Sequence, residues 1–168
     1  MWGMKVLLVR HGDQHDQATW SEAGKSEEFR PLAEEGKAQS RRSFGSLKAH
    51  IEILNAIAVS PFTCAIETAE ILARVYQSSS AATHEGLKPD ANPDVMISWL
   101  ARRSPKQTVA LVGHIPQLQN LIARMCGLRE DSVAELNPGS CAMVEFEDRP
   151  SQNEGTLLWV NRPKKTNV

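Results

Sequence analysis

Apolar positions along this chain fall into two alternating patterns. Short, nearly continuous apolar runs of the buried-strand kind are separated by longer stretches in which apolar residues recur at helical spacing. KVLLVR (5–10), NAIAVS (55–60) and QTVALVGH (107–114) are runs of the first kind, closed by a Gly, a Ser-Pro and a Gly-His. CAMVEFED (141–148) and TLLWVN (156–161) are two more strand-like runs, joined by the polar hairpin-like link RPSQNEG. Between the strands lie helical patterns. Residues 31–51 carry Leu32, Phe44, Leu47 and Ile51 at roughly helical spacing, with Gly36 and Gly45 as weak points. Residues 61–76 set Ala65, Thr68, Ala69 and Leu72 on one face. Pro93 suits the first position of a helix reaching about Arg102. Leu118, Leu121, Ile122 and Met125 mark a helix after Pro116 that Gly127 ends. Residues 13–30 are polar without a clear period and read as a long loop, and 78–93 reads as a loop with room for a short strand.

Strands alternating with helices imply an α/β fold in which a central, mostly parallel sheet is covered on both faces, a three-layer α/β/α arrangement. The 168 residues suit one domain spanning 1–168, with 1–3 as an extension before Met4 and 162–168 as a solvated basic tail. Apolar residues make up 41% and charged residues 23%, and no repeat or low-complexity linker divides the chain. The net charge of −1 gives no general attraction to nucleic acid or to an acidic membrane surface. No apolar run approaches the roughly 20 residues needed to cross a bilayer, and the start has no secretory-signal pattern. The odd, widely spaced cysteines Cys64, Cys126 and Cys141 argue against a disulfide framework and for a reducing, cytoplasmic setting. No cysteine or histidine pair has zinc-finger spacing. The oligomeric state is not written in this pattern.

In a parallel α/β sheet the ligand site lies beyond the C-terminal strand ends. The first strand ends in Arg10-His11-Gly12-Asp13, the second in Ser60-Pro61 and then Cys64, the third in Gly113-His114. Two histidines and an arginine are therefore expected at one sheet edge, where strand-to-helix turns present free N–H groups to an anion. An unprotonated imidazole can attack phosphorus and carry the phosphoryl group. Arginine fits the equatorial oxygens with a planar fork that stays charged. A second, protonated histidine can donate to another oxygen, and a carboxylic acid must protonate the leaving group. Each residue also has an ordinary reading: Asp13 can cap its turn, and Ser60-Pro61 can be simple punctuation.

VRHGD (9–13), RPLAEEG (30–36), VSPFTCAIETAEIL (59–72), GLKPDANP (86–93) and VGHIP (112–116) together resemble the histidine phosphatase superfamily, and within it the compact phosphohistidine phosphatases of the SixA type. The resemblance spans roughly residues 4 to 160. It implies the phosphoglycerate mutase-like fold and a phosphatase acting on a phosphorylated protein or a small phosphorylated molecule. It implies His11 as nucleophile, Arg10 and His114 with Gly12 in the phosphate pocket, and no metal or organic cofactor. Ser60 and Thr68 match motif positions that shape the turn, without a chemical role. Asp13, beside the triplet, is the first candidate for the general acid. Glu85, before the GLKP segment, is the second, and Asp90 ranks below it.

One position departs from the pattern. The family's second phosphate-binding arginine falls where this chain has Cys64. A thiol is a weak donor without positive charge. Losing a charged hydrogen-bonding group costs roughly 1.5–3 kcal/mol, on the order of ten- to a hundred-fold in rate if the contact strengthens in the transition state. Three accounts compete: another cation such as Arg30, Arg41 or Arg42 moves in, the chain is a weakened phosphatase or a non-catalytic phosphate-binding regulatory module, or Cys64 is itself the nucleophile. The last needs an arginine six positions on, but Glu70, Ser132 and Glu147 stand there after the three cysteines. Cys64 can also simply be a small apolar residue packed on the sheet.

Overall fold

The computed structural model describes residues 3–78 and 81–161. Six strands form one sheet: β1 (Met4–Arg10), β2 (Ala56–Val59), β3 (Ala81–Thr83), β4 (Thr108–Gly113), β5 (Cys141–Phe146) and β6 (Thr156–Asn161). Their order across the sheet is β3-β2-β4-β1-β5-β6. The first four of these run parallel, while β5 lies antiparallel to β1 and β6 antiparallel to β5. The sheet is therefore mostly parallel, as the alternating pattern requires. The expected basic tail at 162–168 and the first two residues of the expected extension lie outside the described residues.

Strand side chains alternate between two apolar layers. Leu7, Val9, Ile57, Val59, Ala110 and Val112 pack with Phe44 and Leu47 of α2 (Glu34–Leu47) and Ala65, Ala69 and Leu72 of α3 (Thr63–Val75). Val6, Leu8, Ala58, Val109 and Leu111 pack on the other face with Met96 and Leu100 of α4 (Pro93–Ala101) and Leu118, Leu121 and Ile122 of α5 (Gln117–Cys126). Both faces of the central strands are dry, which is why those strands read as continuous apolar runs rather than alternating ones.

Helix limits follow their local chemistry. Pro93 starts α4 behind Asn92, whose side chain accepts from the Asp94 N–H. Gly127 closes α5 in the left-handed conformation, φ 65°. The expected loop at 13–30 is corrected. It contains a short helix, α1 (Gln17–Glu22), and a 3₁₀ turn at Glu27–Phe29. Asp16 and Ser26 cap the two pieces, and neither buries a residue. With no buried face there is no apolar period to read, so capping alone marked them. The short strand foreseen in 78–93 is β3, followed by a 3₁₀ turn at Glu85–Leu87.

Candidate active site

Strand register assembles the site. Arg10 pairs with Gly113 across β1 and β4, and the His11 N–H donates to the Gly113 carbonyl at 3.0 Å. Val59 pairs with Val112, and the Ser60 N–H donates to the Val112 carbonyl. His11, Ser60 and His114 thus leave three adjacent strands at the same end of the sheet. The rings of His11 and His114 lie 5.1 Å apart between centroids, tilted by 59°.

Each imidazole is held through one nitrogen. His11 Nδ1 sits 2.8 Å from the Gly12 carbonyl, which can only accept, so Nδ1 carries the proton and Nε2 keeps its lone pair. His114 Nε2 sits 2.8 Å from Ser60 Oγ, and Phe62 packs edge-on against the ring at 5.0 Å. Burial holds both histidines below their ordinary pKa, aided by Arg10 near each. For His114 the value falls to about 3, with His11 also contributing. The sequence expects a protonated second histidine, whereas burial, with His11 and Arg10 nearby, favours the neutral form of His114. A neutral His114 can still donate from Nδ1 if the Ser60 hydroxyl donates to Nε2.

Arg10 donates from Nη1 to the Leu136 carbonyl at 2.7 Å, while its buried Nε has no partner among the described residues. Burial lowers its pKa, and Glu135 and Asp13 oppose that shift. A half-buried cation with a buried, unsatisfied donor at this edge is what an oxyanion would complete. The α3 N-terminus adds N–H groups, since its first turn has no side-chain cap.

Two motifs that look independent in sequence are packed backbone to backbone. A Cβ on Gly36 would lie 2.1 Å from the Asp13 carbonyl oxygen, and one on Gly12 would lie 3.0 Å from the Gly36 carbonyl oxygen. The Ala33 N–H donates to the Asp13 carbonyl. Thr68 and Glu67 of α3 complete the clamp: Thr68 Oγ1 accepts from the Gly12 N–H at 3.1 Å, and Glu67 Oε2 from the Leu32 N–H at 2.7 Å. Ser60 and Thr68 thus orient the histidine segments, a contribution that only the register reveals.

A cleft of about 230 Å³ opens over His11, lined also by Arg10, Gly12, Asp13 and Arg30. Asp13 is therefore gathered beside His11. Neither His114, Cys64 nor Glu85 is among the lining residues; His114 lies behind His11, and the exposed Glu85 carboxylate pairs with Lys88 at 2.6 Å. Cys64 is only 1% exposed, and burial pushes its thiol up to about 12. Arg30 acts electrostatically on both His11 and Cys64. Its guanidinium donates to Glu27 and, at 2.7 Å, to the His15 carbonyl. Arg42 instead pairs with Glu35 at 2.8 Å on the surface of α2.

The family model of the histidine phosphatase superfamily (branch 1) matches residues 6–89. An uncharacterized protein of Picosynechococcus sp. is 32% identical over 120 residues, 68% of each chain. Phosphohistidine phosphatase SixA of Escherichia coli (strain K12) is 28% identical over 163 residues, 95% of this chain and 94% of the relative. The solved structure of the protein histidine phosphatase SixA complexed with tungstate matches with a TM-score of 0.81 at 25% identity, covering 95% of this chain and 97% of the other. The sheet and helices are those of the phosphoglycerate mutase-like fold.

Proposed function

This chain belongs to the histidine phosphatase superfamily (branch 1), and from that membership we propose that it hydrolyses a phosphoryl group through a phosphohistidine intermediate on His11. The observation that carries the proposal is the fixed tautomer of His11, whose Nδ1 proton is held by the Gly12 carbonyl while Nε2 is left as the nucleophile. Nε2 attacks phosphorus, the bond to the leaving group breaks, and Asp13 in its acid form gives the leaving group a proton. Asp13 then takes a proton from the water that attacks phosphorus, the P–N bond breaks, and inorganic phosphate leaves.

Arg10 binds the equatorial oxygens and His114 donates from Nδ1 with Ser60 behind it. Arg30 supplies the second cation in place of the missing arginine at position 64, since it lines the cleft and acts on His11. The tungstate in the SixA structure is an oxyanion of phosphate-like shape, which fits the same reading.

The substrate class is phosphohistidine on a protein, with small phosphorylated molecules second. Support comes from the likeness to SixA and from a cleft of about 230 Å³, small beside the roughly 300–1,000 Å³ of sites that enclose a whole small ligand. Such a cleft takes the phosphoryl group and leaves its carrier outside. Phosphate release from a phosphohistidine protein and from an aryl phosphate tests the reading. Turnover of the first, abolished in His11→Ala, supports it, and full turnover in that variant overturns it. A second reading, a phosphate-binding module without turnover, is favoured specifically by Cys64. Phosphate binding without release in both the native chain and Cys64→Arg would select it.

A further inference from the structure

The substitution that removes an arginine from this pocket also creates a donor set of another kind. The ligand atoms of His11, Cys64 and His114 all lie within 4.8 Å of one another, and all three residues are buried. Both imidazoles are already supported through the far nitrogen, His11 Nδ1 by the Gly12 carbonyl and His114 Nε2 by Ser60 Oγ. Metal-bound histidines are typically oriented in this way, with the non-ligating nitrogen hydrogen-bonded to a carbonyl or another oxygen. The donors left to the cluster are His11 Nε2, Cys64 Sγ and His114 Nδ1, the last in the tautomer whose Nε2–H donates to Ser60 Oγ rather than the one that donates to a phosphate oxygen.

We propose that these three residues form a Cys-His-His site for a thiophilic divalent cation, Zn²⁺ foremost, and that the bound cation shuts off phosphoryl transfer by occupying His11. Metal binding stands apart from the phosphatase reading; only the inhibitory consequence rests on it.

The donor types select the cation. One thiolate and two imidazoles suit Zn²⁺ and its neighbours, whereas Mg²⁺ and Ca²⁺ require oxygen ligands that the cluster lacks. Three protein ligands leave a fourth tetrahedral position for water or a phosphate oxygen from the cleft. Zn–S and Zn–N bonds of about 2.3 and 2.0–2.1 Å set ligand atoms about 3.5 Å apart, so the cluster closes by on the order of 1 Å. On coordination the thiol proton passes to solvent and Sγ binds as thiolate. The added negative charge offsets part of the repulsion from Arg10 and Arg30, and the Asp13 and Glu67 carboxylates also act on the cluster. Arginine at position 64 has no lone pair to give, so the site exists because of Cys64.

Titration of the full, reduced chain with Co²⁺ tests the proposal, with zinc displacement as the second step. The expected result is one equivalent bound, tetrahedral visible bands, a thiolate-to-cobalt absorption in the near ultraviolet, and displacement by Zn²⁺. Cys64→Ser and His114→Gln should each weaken Co²⁺ binding by more than about 100-fold, since even outer partners of a ligand are worth 10–100-fold. Circular dichroism of both variants confirms that they fold. Failure to take up Co²⁺, or a thiolate band that persists in folded Cys64→Ser and so belongs to Cys126 or Cys141, overturns the site. These readings need no turnover, so they stand whether or not the chain releases phosphate. Inhibition of phosphate release by Zn²⁺ that Cys64→Ser escapes supports the second half, and equal inhibition of both overturns it.

Discussion

Ser60 Oγ lies 2.8 Å from His114 Nε2, and the two residues come from strand ends 54 positions apart in the chain. The hydroxyl is the partner of a buried nitrogen that would otherwise be unsatisfied, and it decides which nitrogen of His114 meets the substrate. Ser60→Ala is expected to cost about 1–3 kcal/mol of stability by leaving that nitrogen without a partner. It should also lower kcat/KM by more than the loss of folded protein explains. Urea unfolding and steady-state kinetics on the folded fraction check both effects, and an unchanged kcat/KM contradicts the positioning role.

Arg30 and position 64 are expected to be coupled. If Arg30 is the second cation, Arg30→Ala lowers kcat/KM by on the order of ten- to a hundred-fold, the worth of one charged hydrogen bond in the transition state. Cys64→Arg alone should gain little activity and lose about 1–3 kcal/mol of stability, because position 64, in the first turn of α3, is buried. Combined with Arg30→Ala it should restore part of the lost rate. A double-mutant cycle measures the coupling, and strictly additive effects count against the substitution of one cation for the other.

Asp13→Asn should slow hydrolysis of alkyl phosphates far more than that of an aryl phosphate with a good leaving group, which needs no proton. The ratio of the two rates is the measurement. If Asp13→Asn leaves the ratio alone and Glu85→Gln changes it, the acid is Glu85.

Stability should fall on acidification before most carboxylates titrate. His114 stays neutral in the folded chain down to about 3, and His11 is shifted the same way, whereas an unfolded histidine binds its proton near about 6.5. Below about 6.5 the unfolded chain therefore holds protons that the folded chain refuses. The loss for His114 runs from about 6.5 towards 3, at up to about 1.4 kcal/mol per pH unit. Urea midpoints between pH 7.5 and 5 should slope more steeply for the native chain than for His114→Gln, and equal slopes refute the assignment.

Gly36→Ala should be among the most damaging small changes. Its Cβ would sit 2.1 Å from the Asp13 carbonyl oxygen, and that neighbour is backbone. A loss of about 1–3 kcal/mol or more is expected, with a fall in activity because the displaced segment follows His11. Gly45→Ala is the control. Apart from its chain neighbours and its own helix backbone, no atom of the described residues lies within 4 Å of its added Cβ, so Gly45→Ala should leave stability equal or slightly higher, as thermal unfolding of both variants would show.

Five of the six strands, the four longer helices and the sheet edge where His11 and His114 meet were legible in the sequence, which left only room for β3. Those rest on apolar periodicity and on strand-end punctuation, which are local properties of the chain. It also located the odd residue, Cys64, against a recognisable frame. What it did not carry was partnership. The short helix α1 has no buried face and so left no period. Ser60 acquires its role only because β2 and β4 pair with Val59 beside Val112, and Gly36 acquires its necessity only because α2 presses against the Asp13 backbone. Only the folded arrangement decides that Arg30 shares the cleft with His11 while Arg42 pairs on the surface, and that the ligand atoms of Cys64 and two histidines lie within 4.8 Å of one another. The reason is physical: periodicity reports which side of an element is dry, whereas contacts across strands and between loops depend on register, and register is fixed only when the whole sheet closes.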